Sequence, residues 1–400
     1  EGTLSSLPNE LFQVLRIHVQ SEEIIHQQHR IVVFHIPNRP PGVPVVFKGR
    51  YWMRRGSSLV EMDQQTLREI FNENEPDFSA EIVSGLNFDD LDIKAIEEIR
   101  SRWANNAKRP EFNNISPEQV LKDLELSNDK GITVAALILV GSEKALSRNL
   151  ANAEIIFEWR LDKNQIHHDA RKTWRGPYLL IFDEIINEIK ARNYRFPLQE
   201  GMFQGDIYAF EEKTVREAVN NAVAHRDYHL QPSVFIKQSK EEFFITSPGG
   251  FPHGVTQENI LRTTLPRNRR LAEVMNKVGL VERAGQGLDD IFRITITEGK
   301  GIPTIVADGN FWVNLTIPAQ VKDPGFLKYF ERIINDKQLT LSVDELIALD
   351  SVRTSGKVSP QFKEKFVQFG LIERIGTKGR GVRYVLSHSY YVAANKRGEY

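Results

Sequence analysis

The sequence predicts an α+β chain of about two to three domains, and three observations carry that expectation. Its 400 residues exceed what a single compact core usually organises. Helix-type three-and-four spacing and strand-type alternation both recur along the chain. From residue 326 onward, three helical segments give way to a strand, a Gly-rich turn and a second strand. With 40% hydrophobic and 26% charged residues, the composition is that of an ordinary globular protein. A net charge of −1 leaves any nucleic-acid contact to local patches. The absence of Cys excludes disulfides, thiolate zinc sites and Cys nucleophiles, and leaves the compartment undecided. No apolar run approaches the ~18 residues that span a bilayer. The chain opens with Glu1, without a charged-then-apolar leader, and is read as a fragment whose true N-terminus lies upstream.

In chain order, Leu7–Val19 has an amphipathic helical pattern, Arg30–Pro37 reads as a buried strand, and Pro37–Pro44 is a Pro-rich turn. Val45–Arg55 reads as a strand pair and Met62–Asn74 as a helix. Lys48, Arg50, Arg54 and Arg55 interleave with Tyr51 and Trp52, a pattern suited to phosphate contact and base stacking. A strand with an outward basic face and an inward aromatic face explains it equally well. His26, His29 and His35 lack carboxylate support at ligand spacing, so no metal site is expected there. Phe78–Lys108 is polar, helical in pattern and reads as a connector. Ser116 opens a helix, with Pro117 and Glu118 in its first turn. Gly131–Gly141 is a near-continuous apolar run and reads as a buried element, followed by a strand at Ala153–Arg160 and an amphipathic helix at Gly176–Asn193. His167, His168 and Asp169 fall in the polar loop before that helix and read as surface residues.

The most informative stretch is Phe210–Leu230, read as one long helix with two faces. Val215, Ala218, Val219, Ala222 and Val223 make a buried stripe. Glu217, Asn221 and His225 lie four apart and stack on a neighbouring stripe, with Arg226 and Asp227 just beyond. A carboxylate one turn before a carboxamide suits a water-orienting acid beside an oxygen ligand for Mg²⁺. A half-exposed helix with solvated polar residues fits the same pattern.

Beyond it, Val234–Lys237 and Phe243–Ser247 read as antiparallel strands, the second broken by Pro248-Gly249-Gly250. Glycines there allow either a close approach of backbone to a ligand or a plain tight turn. Arg267-Asn268-Arg269-Arg270 precedes a helix at Leu271–Val278, and its guanidinium groups suit phosphate oxygens as well as a basic surface loop. Gly285-Gln286-Gly287 feeds a helix starting near Leu288, an arrangement able to bind an anion at a helix N-terminus. Phe311–Ile317 alternates as the last strand of the sheet, and Lys322–Gly325 reads as a linker. After it come helices at Phe326–Asn335, Val343–Leu349 and Ser359–Phe369, then strands at Leu371–Ile375 and Val382–Leu386 around a Gly376–Gly381 turn.

The run REAVNNAVAHRDYH resembles the EAxxNAxxHRDY helix of the RecG-like C-terminal ATP-binding domains, relatives of the GHKL ATPase fold. SPGGFPHG (Ser247–Gly254) resembles that family's NPGG-x-P turn, and Arg267–Arg293 resembles its RNxxLA…GxxExxGxGxxxI segment. The likeness covers roughly Pro117–Pro318. It implies an α/β sandwich with helices on one face of a mixed sheet, binding ATP with Mg²⁺. In that implied site Asn221 holds the metal and Glu217 activates water. His225, Arg226, Gly249, Gly250, Arg267, Asn268, Gly285 and Gly287 surround the nucleotide. Where most GHKL proteins place an Asp before the glycine, this chain has Ser247 and Pro248, a departure that removes the usual partner of the adenine amino group. VPVVFKGRYWMRRGSS resembles the closing part of a Schlafen/AlbA-type domain, and FGLIERIGTKGRGVRYVLS resembles the hairpin of a winged helix-turn-helix. Lys363 and Lys365 then sit on the expected recognition helix, and Lys378, Arg380 and Arg383 on the wing, with Arg353 and Lys357 nearby. A protein-interaction winged helix with solvated lysines is the alternative.

The expected organisation is a partial Schlafen/AlbA-type domain (1–77), a helical connector (78–115), a RecG-like, GHKL-like domain (116–320) and a winged helix (326–400). The chain lacks G-x-x-x-x-G-K-[ST], which argues against a P-loop motor, and also lacks a G-x-S-x-G context. The resemblances imply a cytoplasmic, oligomeric, nucleotide-responsive DNA-binding protein, a bacterial transcription regulator or defence component, with slow ATP hydrolysis. Two alternatives stand beside it: a non-catalytic, oligomerising DNA-binding scaffold with a degenerate ATP site, or a nucleic-acid-processing effector whose nuclease residues lie upstream.

Overall fold

The computed structural model describes residues 19–26, 29–36, 42–71, 77–200, 203–252, 255–263, 265–281, 287–309, 311–337, 339–375 and 383–393. The chain divides into two units, residues 1–76 and 77–400.

In the first unit, Gln20–His26 and His29–His35 form a two-stranded antiparallel ribbon. Val46–Phe47, Arg50–Arg55 and Ser58–Glu61 form a three-stranded antiparallel sheet, followed by a helix at Gln64–Phe71. The first hairpin turns on Lys48 and Gly49, both with positive φ (50° and 75°), the conformation that matches strand twist in a two-residue loop. The strand expected to be buried is not. Ile31 and Phe34 are 44% and 42% exposed, because a two-stranded ribbon offers each strand a single partner. The helix expected at Leu7–Val19 lies outside the described residues, apart from Val19.

The second unit is built on a six-stranded mixed sheet. Its order is Thr304–Asp308, Trp312–Pro318, Glu242–Pro248, Val234–Gln238, Ile155–Trp159 and Ala170–Trp174. Val234–Gln238 pairs in parallel with Ile155–Trp159, and every other pairing is antiparallel. The two edge strands, Thr304–Asp308 and Ala170–Trp174, were not anticipated; both are short and mostly exposed. The strand expected to close the sheet therefore lies one place inside its edge.

Period-two alternation buries one face of this sheet. Ile155, Phe157, Val234, Ile236, Phe243, Ile245, Leu315 and Ile317 all point into the core. Helices pack on it, chiefly Glu212–Ala224, which runs against the Glu242–Pro248 strand. The apolar run at 131–141 becomes a wholly buried helix, Val134–Val140, whose first turn is capped by the Thr133 hydroxyl accepting from the Ala136 N–H. Segment 78–115, expected as a connector, belongs to the body of this unit. Its helix Ile93–Ala107 buries Ala95, Ile96 and Ile99, and Asn106 donates to the carbonyls of Asn276 and Lys277.

The C-terminal elements follow the expected order: helices Pro324–Lys337, Val343–Ser355 and Pro360–Gln368, then an antiparallel pair, Ile372–Ile375 with Arg383–Leu386. A further helix, His388–Ala393, follows. Ser342 and Glu345 form a reciprocal capping box at the second helix. These elements pack onto the Gly287–Thr297 helix, where Arg293 donates to the Leu341 carbonyl at 2.6 Å. Inside the cluster, the Tyr390 hydroxyl donates to Asp323 and Arg353 bridges Asp323 and Asp350.

Candidate nucleotide pocket

A cavity of about 650 Å³ opens between the sheet and three helices, a size that suits a small-molecule ligand. The central helix, Glu212–Ala224, supplies Glu217, Ala218, Asn221 and Ala222 to one wall, with His225 at its C-terminal cap. The floor is apolar sheet: Ile245, Ile305, Val313 and Leu315, with Ser247 at its end. The loop after Pro248 forms a second wall, and the Arg269–Lys277 helix a third. Gly287 and Leu288, at the start of the Gly287–Thr297 helix, close the remaining side.

The central helix is shorter than its pattern predicts, stopping at Ala224 rather than near Leu230. Tertiary hydrogen bonds end it. The Asn268 side chain donates to the Ala224 and Arg226 carbonyls at 2.9 and 2.7 Å, satisfying acceptors that a helix end leaves open. Arg226 turns away from the cavity and is 1% exposed. Its guanidinium donates to the carbonyls of Asn152, Asp227, Leu230 and Pro232 and sits over the Tyr228 ring. Two expected nucleotide contacts, Arg226 and Asn268, thus hold the backbone around the site and do not line it.

Glu217 and Asn221 do share the pocket wall. Glu217 is buried, at 6% exposure, and packs on Gly287; a Cβ there would fall 1.5 Å from Glu217 Oε1. The glycine is therefore needed for close approach rather than for a special φ. Gly249 is needed for both reasons: its φ is 105°, and a Cβ would meet Asp227 Cβ at 2.7 Å. Gly250 lines the cavity, and its carbonyl accepts from Arg267 at 3.0 Å. Arg267 also approaches Asp227 at 3.4 Å, so it braces the loop behind the pocket. Gly285 lies outside the described residues.

Protein surrounds the His225 ring although the pocket mouth leaves it open to solvent. Burial, with Arg267 nearby, lowers its pKa from 6.5 to about 4, so the imidazole is neutral at pH 7. The Ser247 hydroxyl donates to the Ala222 carbonyl at 2.7 Å and is spent on the central helix. Neither Asp227 nor Asp206 lines the cavity.

Among the described residues, no cluster of three His, Asp or Glu side chains could hold a metal. The donor set nevertheless fits Mg²⁺ bound through a nucleotide: one amide oxygen, Asn221, beside a cavity large enough for the phosphates that supply the other ligands.

Sequence reasoning missed two features of the site. Asn220, next to the expected ligand, is fully buried; it accepts from the Tyr178 hydroxyl at 2.7 Å and donates to the Leu280 carbonyl at 2.5 Å. Of the pocket-facing side of the Arg269–Lys277 helix only Arg269 was singled out, within the Arg267–Arg270 run; Ala272, Glu273, Asn276 and Lys277 were missed. Its amphipathic pattern was visible, but whether the polar side met solvent or a cavity was not.

The expected nucleic-acid contacts lie apart from this pocket in the sequence, and several are already engaged. Arg50 pairs with Glu61 at 3.1 Å, and Arg54 donates to the Gly56 carbonyl at 3.2 Å. Lys48 lies over the Phe47 ring and Lys363 over the Tyr384 ring. Lys365 pairs with the buried Glu345, and Arg353 with Asp350 and Asp323. Arg55, Lys357 and Arg383 are exposed. Lys378 and Arg380 fall outside the described residues.

Residues 232–316 match a family described as "Putative ATP-dependent DNA helicase recG C-terminal". The match covers the floor strands and the loop wall but begins after the central helix with Glu217 and Asn221. Residues 64–156 match a domain of unknown function (DUF8451). No curated protein matches the chain. Among solved structures, the DIP2311 protein from Corynebacterium diphtheriae is similar in fold: TM-score 0.64 at 18% identity, over 98% of this chain and 81% of that one. No helix among the described residues is long and apolar enough to cross a membrane.

Proposed function

We propose that the pocket binds an ATP-type nucleotide with Mg²⁺, and that its occupancy governs nucleic-acid binding by the rest of the chain. One observation carries the nucleotide reading. Glu217, Asn221, Gly249, Gly250 and Gly287, spread over some seventy positions of sequence, converge on one cavity. The similarity of residues 232–316 to RecG C-terminal domains supports it. Asn221 would be the protein ligand of the magnesium ion, which would neutralise phosphate charge. The apolar floor would take the base, and the neutral His225 would offer one hydrogen bond in either direction.

Nucleic-acid binding is the finer part of the proposal. The helix–helix–helix–strand–strand order from Pro324 to Leu386 agrees with a winged helix. Its exposed cations Lys357 and Arg383 are the first candidates for phosphate contact, and Arg55 is the candidate in the first unit.

Thermal unfolding with and without Mg²⁺–ATP, beside Asn221→Ala, tests the nucleotide site. Ligand at ~100 times its Kd should stabilise by roughly 2.7 kcal/mol. A shift present in the wild type and lost in the variant is expected; no shift at millimolar nucleotide would sink the reading.

A second reading is binding without hydrolysis. It is favoured by the Glu217 carboxylate lying buried against Gly287 at the edge of the pocket. No phosphate release above background in the wild type would decide for it; release that is present in the wild type and disappears in Glu217→Ala would decide for a Glu217-assisted ATPase.

A further inference from the structure

The third wall of the pocket carries the basic Arg267–Arg270 run onward into a charge pattern along the helix. The Arg269–Lys277 helix begins beside the end of the central helix, where Asn268 bonds Ala224, and finishes beside its middle, where Asn220 bonds Leu280. It therefore runs back along the central helix. Lys277 lies toward the Asn221 level and Arg269 toward His225.

Both cations line the cavity, and neither side chain has a hydrogen-bond or ion-pair partner among the described residues. The other charges nearby are accounted for. Glu273, the second carboxylate of the lining, approaches Arg270 at 3.5 Å, and Arg270 also pairs with Glu125. Arg267 is turned to Asp227. Glu217 is packed against Gly287. What remains on this wall is two cations without a side-chain partner among the described residues, Arg269 and Lys277, with Glu273 four positions from each. Eight residues of helix hold their Cα atoms roughly 12 Å apart along the axis. An extended polyphosphate can engage both at once.

We infer that Lys277 and Arg269 are the pocket's anion contacts, and that they make its ligand a nucleoside polyphosphate rather than a nucleoside. The inference rests on the nucleotide reading above and adds to it the ligand's charge and the residues that meet it. A guanidinium and an ammonium held in a partly dry cavity form charge-assisted hydrogen bonds, each stronger than a neutral one.

Isothermal titration of the full chain with ATP, ADP and adenosine, in the wild type, Lys277→Gln and Arg269→Gln, is the test. ATP is expected to bind far more tightly than adenosine. Each Gln variant should weaken ATP by about tenfold or more, the weight of one charged hydrogen bond, with circular dichroism unchanged. The wild-type ATP affinity should also fall with added salt, and fall less steeply in each variant, a response that a merely structural role for either residue would not give. Adenosine binding as tightly as ATP, or ATP affinity unmoved in both variants, would overturn the inference and leave the nucleotide reading standing. Failure of the wild type to bind any of the three would overturn both.

Discussion

At the residue scale, the pocket depends on a few side chains whose neighbours leave little tolerance. Gly287 separates two opposing effects. Alanine is favoured over glycine by roughly 0.5–1 kcal/mol in a helix interior and by less at a first helical residue such as this one, so propensity alone predicts slight stabilisation. The structure predicts the reverse, because the new methyl would stand 1.5 Å from Glu217 Oε1. Gly287→Ala is therefore expected to destabilise by roughly 1–3 kcal/mol, the cost of overpacking. Denaturant unfolding reads the sign directly, and a stabilised variant would mean that Glu217 moves aside freely. His225 makes a prediction about pH. Its folded pKa, about 4, lies below the unfolded value of 6.5, so between these values the unfolded chain binds more protons. Stability from this group is present in full above pH 6.5 and is lost as pH falls toward 4. His225→Gln should remove part of the difference in melting temperature between pH 7 and pH 5; an identical pH profile would show that the ring titrates normally.

At the scale of elements, the central helix shows how local pattern and tertiary context divide the work. The apolar stripe from Val215 to Val223 is buried as its spacing requires. The end of the helix answers to a residue some forty positions away, because the Asn268 side chain caps it. Asn268→Ala leaves two buried carbonyls without their donor, at a cost of roughly 1–3 kcal/mol each. The expected outcome is a loss of thermal stability together with weaker binding of Mg²⁺–ATP, since His225 and the Gly249 loop hang from that junction. A variant that loses stability but keeps its ligand affinity would separate the cap from the site. The Arg269–Lys277 helix gives the same lesson. Its amphipathic spacing was plain, yet only its direction along the central helix aims Arg269 and Lys277 at a cavity.

At the scale of the molecule, the chain behaves as two units, 1–76 and 77–400, and the pocket belongs wholly to the second. That unit carries one continuous core from the Ile93–Ala107 helix to Tyr390. A chain of residues 77–400 is expected to unfold cooperatively and to show the same Mg²⁺–ATP-induced shift as the whole. Differential scanning of both chains checks it; a truncated chain that melts broadly or loses the shift would show that the first unit completes the fold. The C-terminal elements are tied to two walls of the pocket, through Arg293 to the Leu341 carbonyl and through the Arg262–Asp344 pair at 2.7 Å. The second link is exposed and worth roughly 0–1 kcal/mol.

The sequence by itself determined what short-range physics controls. Buried stripes, caps such as Ser116 and Ser342, the paired strands around Lys240, and the polar stripe of Glu217 and Asn221 are all set by residues within a few positions of one another. Only the tertiary structure decided the rest. Arg226 and Asn268 satisfy backbone rather than ligand, Lys300 is buried on the Tyr208 carbonyl, and Gly287 matters for what packs on it. The reason is common to all four: the same donor or glycine suits a ligand and a buried carbonyl or carboxylate equally well. Which of the two it meets depends on elements far away in sequence being brought alongside.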